Sequence, residues 1–264
     1  MPYRRIVGIL AVCLVLGIGV ALTTRAGPQG TQAAQEPLGD QPPLIQRPNL
    51  PPTPTRGAPP TIPEIAAAPA SKLLFQQRFA ASPDFAATPN WTALDLVVLQ
   101  HDDAPARWGV RDGLLAQLWT GEHQDARPDP TLVVTGQPSW RDYTLRASAY
   151  AEGNMEFGLV VRRQGSSFYR LRLFTDAAEV PSKVLLEKVV DGQARVLAAE
   201  AGPGYEPYRW YNLRLSAIGT QITAQVDGGA VLTVTDTSLS QGQAGLYGLA
   251  IGQLGFDNVA VIAP

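Results

Sequence analysis

Three stretches limit what this chain can become. Ser167–Phe174, Lys183–Gly192 and Arg209–Leu215 alternate their side chains in strict two-residue steps, with Phe168, Arg170 and Arg172 on one side and Tyr169, Leu171 and Leu173 on the other. Alternation of that period sends successive residues to opposite faces of a β-strand and does not fit the 3.6-residue repeat of a helix. One face is apolar, and the other carries arginine, glutamate or an aromatic ring. A sheet with one buried and one polar face is the ordinary state of an antiparallel sheet in a sandwich. This polar face is richer in arginine and aromatics than solubility requires, so function is sought there.

The same pattern recurs from Leu73 onward, broken by Gly, Pro, Asp and Asn. It predicts strands near 73–79, 94–100, 107–111, 114–119, 131–135, 141–151, 156–163, 167–174, 183–190, 193–199, 209–217, 220–227, 230–235, 243–250 and 254–262. Asp112-Gly113, Asp191-Gly192 and Asp227-Gly228 fall between paired runs, where two-residue hairpins need positive φ. No helical periodicity of useful length is present. The expectation is an all-β fold, a two-sheet antiparallel jelly-roll sandwich over 72–264. At about 190 residues such a domain buries roughly 70% of its unfolded surface and needs no disulfide. It has none to form, because the single cysteine is Cys13.

Cys13 sits within Ile6–Leu22, an uncharged run of 17 residues that follows Arg4-Arg5. The run exceeds the usual ~7–15-residue signal-peptide core and just reaches the ~17–25 residues that span a bilayer. Positive charge on its N-terminal side places the rest of the chain outside the cytoplasm. Residues 1–26 thus read as a signal peptide or a retained membrane anchor, the membrane being a partner only if the segment is uncleaved. A cysteine-free domain behind an export signal suits an exported bacterial protein. Residues 27–71 read as a Pro-rich disordered linker, with 12 prolines among the 44 positions of 27–70. Such sequence extends as polyproline II and holds a domain away from a surface. The formal charge is −2, charged residues make up 17%, and no basic run is longer than Arg162-Arg163. That leaves no electrostatic footprint for nucleic acid.

Seven short motifs follow one another in an order that resembles the concanavalin A-like (laminin G-like) jelly-roll family. They are Asp142-Tyr143-Thr144-Leu145-Arg146, Gly158-Leu159-Val160-Val161-Arg162, Phe168-Tyr169-Arg170-Leu171-Arg172-Leu173, Leu186-Glu187-Lys188, Trp210-Tyr211-Asn212-Leu213-Arg214, Val226-Asp227-Gly228 and Phe256-Asp257-Asn258-Val259. An opening Leu74-Phe75, Phe79 and Trp91 matches the family's first strand and its return. The resemblance implies two stacked antiparallel sheets, one concave, with carbohydrate on the concave face or at the loop rim. The family includes catalytic members, so the fold leaves activity open.

Catalysis by the glucanase route needs two carboxylates flanking the scissile bond, at alternate positions of one strand. No Glu-x-Asp-x-Glu arrangement occurs, and Glu152-Gly153-Asn154-Met155-Glu156 has the look of a turn. The histidines are His101 and His123 alone, too few for a zinc site, and no Gly-x-Ser-x-Gly elbow is present. Acids do crowd in places, with Glu122, Asp125 and Asp129 in one loop and Asp102-Asp103 in another. No cofactor is required, but these oxygens suit a structural calcium, and the resemblance implies Asp257 as a ligand. Asn90-Trp91-Thr92 fits a glycosylation acceptor by chance, with Trp91 expected to pack near the first strand.

The polar strand face remains. Aromatic rings cover the C–H faces of sugars, and planar Arg, Asn and Gln read hydroxyls. The candidate ligand residues are Arg146, Tyr150, Arg162, Phe168, Arg170, Arg172, Glu187, Trp210, Asn212 and Arg214. The bland alternative is cross-strand pairing of Arg170 or Arg172 with Glu187, worth ~0.2–1 kcal/mol per pair. The expectation is an extracytoplasmic, non-catalytic carbohydrate-binding module, cell-tethered or secreted, with carbohydrate or a cell-surface glycan as partner. A glycan-processing hydrolase and a structural or adhesive module are the rivals.

Overall fold

In a computed structural model of the chain, residues 56–84, 90–96, 107–119, 130–250 and 254–264 are described. The hydrophobic run at 6–22, most of the Pro-rich segment, both histidines and the acids at 102, 103, 122, 125 and 129 lie outside them. Among the described residues no helix is long and apolar enough to cross a membrane.

Among the described residues the alternating segments form fifteen strands in two antiparallel sheets. The back sheet is built from Leu73–Gln77 (β1), Arg107–Arg111 (β3), Leu114–Trp119 (β4), Tyr143–Ala151 (β6), Trp210–Ile218 (β11), Gln221–Val226 (β12), Leu232–Thr235 (β13) and Leu254–Ile262 (β15). Its order is β13-β12-β11-β6-β15-β4-β3, with β1 paired to β15. The front sheet takes Thr92–Asp95 (β2), Thr131–Thr135 (β5), Glu156–Gln164 (β7), Ser167–Phe174 (β8), Val184–Val190 (β9), Gln193–Glu200 (β10) and Gln243–Leu249 (β14), in the order β10-β9-β8-β7-β14-β5-β2. The strand expected over 94–100 starts earlier, at Thr92, and its last part lies outside the described residues. The hairpin steps are as expected. Asp112, Asp191 and Asp227 have φ of 51°, 49° and 49°, and Gly113, Gly192 and Gly228 have φ of 70°, 80° and 71°. Two successive positive φ values make the tight turn whose twist matches that of the strands it joins.

The core lies between the sheets. Leu145, Ala147, Ala149, Leu213, Leu215 and Phe256 enter it from the back sheet, and Phe157, Leu159, Leu171, Leu173, Leu186 and Leu246 from the front. Burying each large side chain contributes about 1.5–3 kcal/mol, and a register slip of one residue would expose a whole row at once. Register therefore fixes what faces outward. Trp91 packs edge-on against Phe75 at 5.4 Å, and its indole nitrogen donates to Gln77 Oε1 at 2.9 Å, beside the first strand.

Two expectations need correction. The Pro-rich linker does not run to residue 71, because residues 56–72 pack as a strap over the outside of the back sheet. Ile62 and Ile65 are buried there against Ala260 and Ile262. The Pro60 carbonyl accepts from Asn258 Nδ2 at 3.0 Å, and the Lys72 carbonyl accepts from the Ala263 amide at 2.8 Å. The strap also contains a helix, Pro63–Ala67 (α1), where periodicity indicated none. Pro63 fixes φ at the first helical position and Glu64 faces the positive end of the helix dipole, but five residues are too few to show a repeat.

Candidate functional site

The ten candidate residues do not share a face. The inward row of β6 sends Arg146 and Tyr150 to the outside of the back sheet, and β11 sends Trp210, Asn212 and Arg214 there too, because Trp210 stands opposite Tyr150 and Arg214 opposite Arg146. Phe168, Arg170, Arg172 and Glu187 point from β8 and β9 to the outside of the front sheet, on the far side of the core. One alternation read along three strands gives the facing of each strand but not the sheet to which it belongs.

Arg162 belongs to neither face. It lies at the irregularity near the end of β7, at φ 52°, and is 2% exposed. Its guanidinium donates to the carbonyls of Arg141 at 3.0 Å, Leu239 at 2.9 Å and Gly219 at 2.8 Å, and to Asp142 Oδ1 at 3.2 Å. It is a structural clasp between loops. Asp257 is likewise engaged, its Oδ1 accepting the Phe79 amide at 2.9 Å in a buried setting. Among the described residues no three His, Cys, Asp or Glu side chains gather as a metal-binding group.

The back-sheet residues hold the strap. Trp210 donates from its indole nitrogen to the Gly57 carbonyl at 2.9 Å and packs against Tyr150 with ring centres 5.3 Å apart and planes tilted by 46°. Tyr150 is 2% exposed and lies under Arg56, whose guanidinium sits 5.9 Å from the ring centre. Arg146 pairs with Glu64 of the strap at 3.1 Å.

On the front sheet the polar groups form a continuous row across β8, β9, β7 and β14. Arg170 donates from Nε and Nη2 to Glu187 Oε2 at 2.8 and 2.7 Å. Glu187 Oε1 faces Arg172 Nη1 at 3.5 Å, and Arg172 in turn grips Glu156 Oε2 from Nε at 2.9 Å and Nη2 at 2.5 Å. Tyr247 donates its hydroxyl to the same Glu156 oxygen at 3.1 Å. The two guanidinium planes lie 4.5 Å from the ring centres of Tyr247 and Phe174. Burial pushes the Tyr247 phenol well above its ordinary range, against the pull of Arg170 and with help from Glu156, so it stays a neutral donor. Burial works to lower Arg172, but Tyr247, Glu156 and Glu187 outweigh it and raise the group.

The row is graded in accessibility. Arg170 and Glu187 side chains are 7% and 4% exposed, whereas Arg172 and Glu156 are 22% and 21% exposed. At the buried end, Phe168, Val189, Leu96 and Pro130 line an apolar cleft of about 200 Å³ beside Arg170. The face therefore offers ring surfaces, an apolar notch and a partly exposed pair that can accept and donate. Sequence reading missed Glu156, set aside as part of a turn, and Tyr247, which lies in a mostly apolar strand.

No family model matches the chain. Over 124 residues it is 30% identical to an extracellular exo-α-L-arabinofuranosidase of Streptomyces chartreusis, a stretch that takes in 46% of this chain and only 14% of that enzyme. A Bacillus subtilis protein of unknown function with a galectin-like fold superposes with a TM-score of 0.51 at 12% identity, over 72% of this chain and 98% of that one. The carbohydrate recognition domain of Emp47p superposes with a TM-score of 0.51 at 10% identity, over 74% of this chain and 99% of that one. At these identities the likeness speaks for the architecture alone, a two-sheet antiparallel jelly-roll sandwich similar to that of these neighbours.

Proposed function

We propose that this sandwich is an extracytoplasmic, non-catalytic carbohydrate-binding module and that saccharide lies on the outside of the front sheet. The observation that carries the reading is the Arg170–Glu187–Arg172–Glu156 row, whose outer pair is half-buried and fixed in place beside aromatic rings. Preorganised planar donors lose little entropy when they meet hydroxyls, and rings or an apolar notch cover the C–H faces of a sugar. The resemblance in fold to a carbohydrate recognition domain and the partial match to an extracellular arabinoside-cleaving enzyme support the reading. Export through the N-terminal hydrophobic run, with the protein either secreted or cell-tethered, is part of the same proposal, and a structural calcium in the loop rim would be compatible with it.

Glycan-array binding of the full chain, with and without calcium, tests the proposal, and arabinose-containing glycans are the first probes. Arg172→Ala should weaken binding at least tenfold, because it removes the exposed donor and frees Glu156. Absence of binding to any glycan, or full binding by Arg172→Ala, would overturn it. A glycan hydrolase is the second reading, favoured by the named activity of the partly matching enzyme. Against it, both oxygens of Glu187 and one of Glu156 are already taken by guanidinium and phenol donors. Release of reducing sugar from arabinosides would decide for it.

A further inference from the structure

On the back sheet, Arg146 and Arg214 stand directly opposite one another on adjacent antiparallel strands. Like charges in that position are destabilising unless an anion lies between or beside them. The strap supplies one carboxylate, Glu64, which reaches Arg146 at 3.1 Å while its own side chain remains 55% exposed. Arg214 pairs with no carboxylate among the described residues, and no acceptor reaches its buried Nε. Asp227 also lines this region, but its carboxylate is spent on Arg209 at 3.0 Å and the Asn212 backbone N–H at 2.8 Å. Burial lowers the Arg146 guanidinium, Glu64 opposes that, and Arg214 adds to the lowering.

These groups surround a cleft of about 260 Å³ between strap and sheet, lined by Ile62, Glu64, Arg146, Asn212, Arg214 and Gln225. Asn212 uses its Oδ1 on Ser148 and Gln225 its Nε2 on the Gly229 carbonyl, which leaves an amide donor and an amide acceptor in the lining. We infer that this cleft is a second saccharide site, for a uronate: Arg214 and Arg146 take the sugar carboxylate, Asn212 and Gln225 read the neighbouring hydroxyls, and Glu64 is the internal carboxylate that the ligand displaces. Guanidinium forks match carboxylates in a planar, bidentate fashion, and two of them on one cleft select an acidic sugar over its neutral counterpart. The strap is suited to yield, since only Ile62 and Ile65 bury apolar surface near Glu64 and its helix is five residues long. The inference rests on the domain binding saccharide but uses the opposite sheet, so the two sites are tested by different ligands and different variants.

Titration calorimetry on the full chain tests it, with digalacturonate and a glucuronate-containing disaccharide as acidic probes and their carboxyl-reduced forms as neutral ones. Glu64→Gln should bind at least one acidic probe about fivefold more tightly than wild type, because the competing internal carboxylate is gone. Arg214→Gln introduced into that background should weaken binding at least tenfold. The neutral forms should give no heat. Equal binding of acidic and neutral probes would overturn the site, as would full affinity after Arg214→Gln. So would the lack of any acidic-probe binding by a Glu64→Gln protein whose thermal transition matches wild type. Neutral-glycan binding lost in Arg172→Ala belongs to the front sheet and bears on that proposal alone.

Discussion

Glu187 of β9 stands directly opposite Arg170 of β8, and one of its oxygens takes both Nε and Nη2 of that guanidinium at 2.8 and 2.7 Å. Both side chains are almost fully buried although they lie on the outer face of a sheet. Removing one member of such a pair leaves an uncompensated charge and costs about 3–5 kcal/mol, whereas replacing both with apolar residues is close to neutral. Glu187→Ala should therefore lower unfolding free energy by about 3 kcal/mol or more, and Arg170→Met with Glu187→Leu should recover most of that loss. Urea unfolding of the two proteins checks this, and a double variant as unstable as the single would show that the pair is not the source of the cost.

The facing of nearly every strand was legible from alternation, since inward Leu145, Ala147 and Ala149 force Arg146 and Ser148 outward whatever the tertiary arrangement. Pairing of Glu187 with Arg170 and Arg172 was legible too, because the β8–β9 connection leaves few registers that bury both inner rows. Which sheet each strand joins was not. Tyr143–Ala151 and Trp210–Ile218 pair with each other, while Ser167–Phe174 pairs in the other sheet, and long crossovers between sheets leave no periodic trace. Arg162 looked like one more alternating arginine, yet its φ of 52° turns it out of the strand pattern. The strap was hidden for a simpler reason: Ile62 and Ile65 are two apolar residues in a proline-rich stretch, and only the waiting surface at Ala260 and Ile262 gives them a partner.

The strap should be separable from the sandwich. Ile65 is buried mainly by its contact with the back sheet, and burial of such a side chain is worth about 1.5–3 kcal/mol. Ile65→Asp replaces that gain with the cost of burying a charge, so the segment 56–72 should lift while the two sheets persist. Limited proteolysis should then cut within 56–72 at least tenfold faster than in wild type, with the sandwich core left as a resistant fragment. Cleavage spread equally through the core would mean that the strap is integral to folding.

Gly158 should not tolerate a side chain. It lies on β7 opposite Arg172 and Tyr247, and a Cβ there would sit 1.7 Å from the Leu171 carbonyl oxygen. The obstacle is the backbone of the neighbouring strand, which cannot swing aside as a side chain would. Gly158→Ala should cost at least ~2 kcal/mol, in the range of overpacked sites, and should also weaken glycan binding by displacing Arg172. Gly202→Ala, where a Cβ meets nothing within 4 Å, should stay within about 0.5 kcal/mol of wild type. Thermal unfolding of the two variants compares them directly.

Alkaline pH should unfold the protein through its buried phenols. Burial pushes Tyr143 well above its ordinary value, against the backbone hydrogen bond and charge of Arg162, and its hydroxyl donates to the carbonyls of Gly242 and Gln243. Tyr169 is pushed up to about 12, by burial first and then by its hydrogen bond to Asp236. A group whose pKa is higher in the folded state binds its proton more tightly there, so its contribution is complete below the unfolded value near ~10 and is lost as pH rises through the folded one. Stability should hold to about pH 10 and then fall steeply, and Tyr169→Phe should flatten the fall over the interval up to about 12. Unfolding free energy measured against pH gives the slope, and an unchanged slope in Tyr169→Phe would remove that phenol from the account.

Arg162 separates two costs that are usually confounded. Its backbone occupies the left-handed region at φ 52°, where a non-glycine residue pays roughly 1–2 kcal/mol. Its side chain satisfies three carbonyls, from Arg141, Leu239 and Gly219, and meets Asp142, all at 2% exposure. Arg162→Gly would relieve the backbone and discard the side chain, Arg162→Ala would discard the side chain alone, and Arg162→Lys would keep the charge without the fork. If the clasp governs, all three should be destabilised by at least ~1 kcal/mol, since the buried Leu239 carbonyl left unpaired costs about 1–3 kcal/mol while those of Arg141 and Gly219 are only part-buried. Gly should then outrank Ala by no more than the backbone relief of ~1–2 kcal/mol, and Lys should fall short of wild type because one ammonium cannot reach three carbonyls on separate loops. A glycine variant as stable as wild type, measured by urea unfolding, would mean that the hydrogen bonds only compensate for a strained turn.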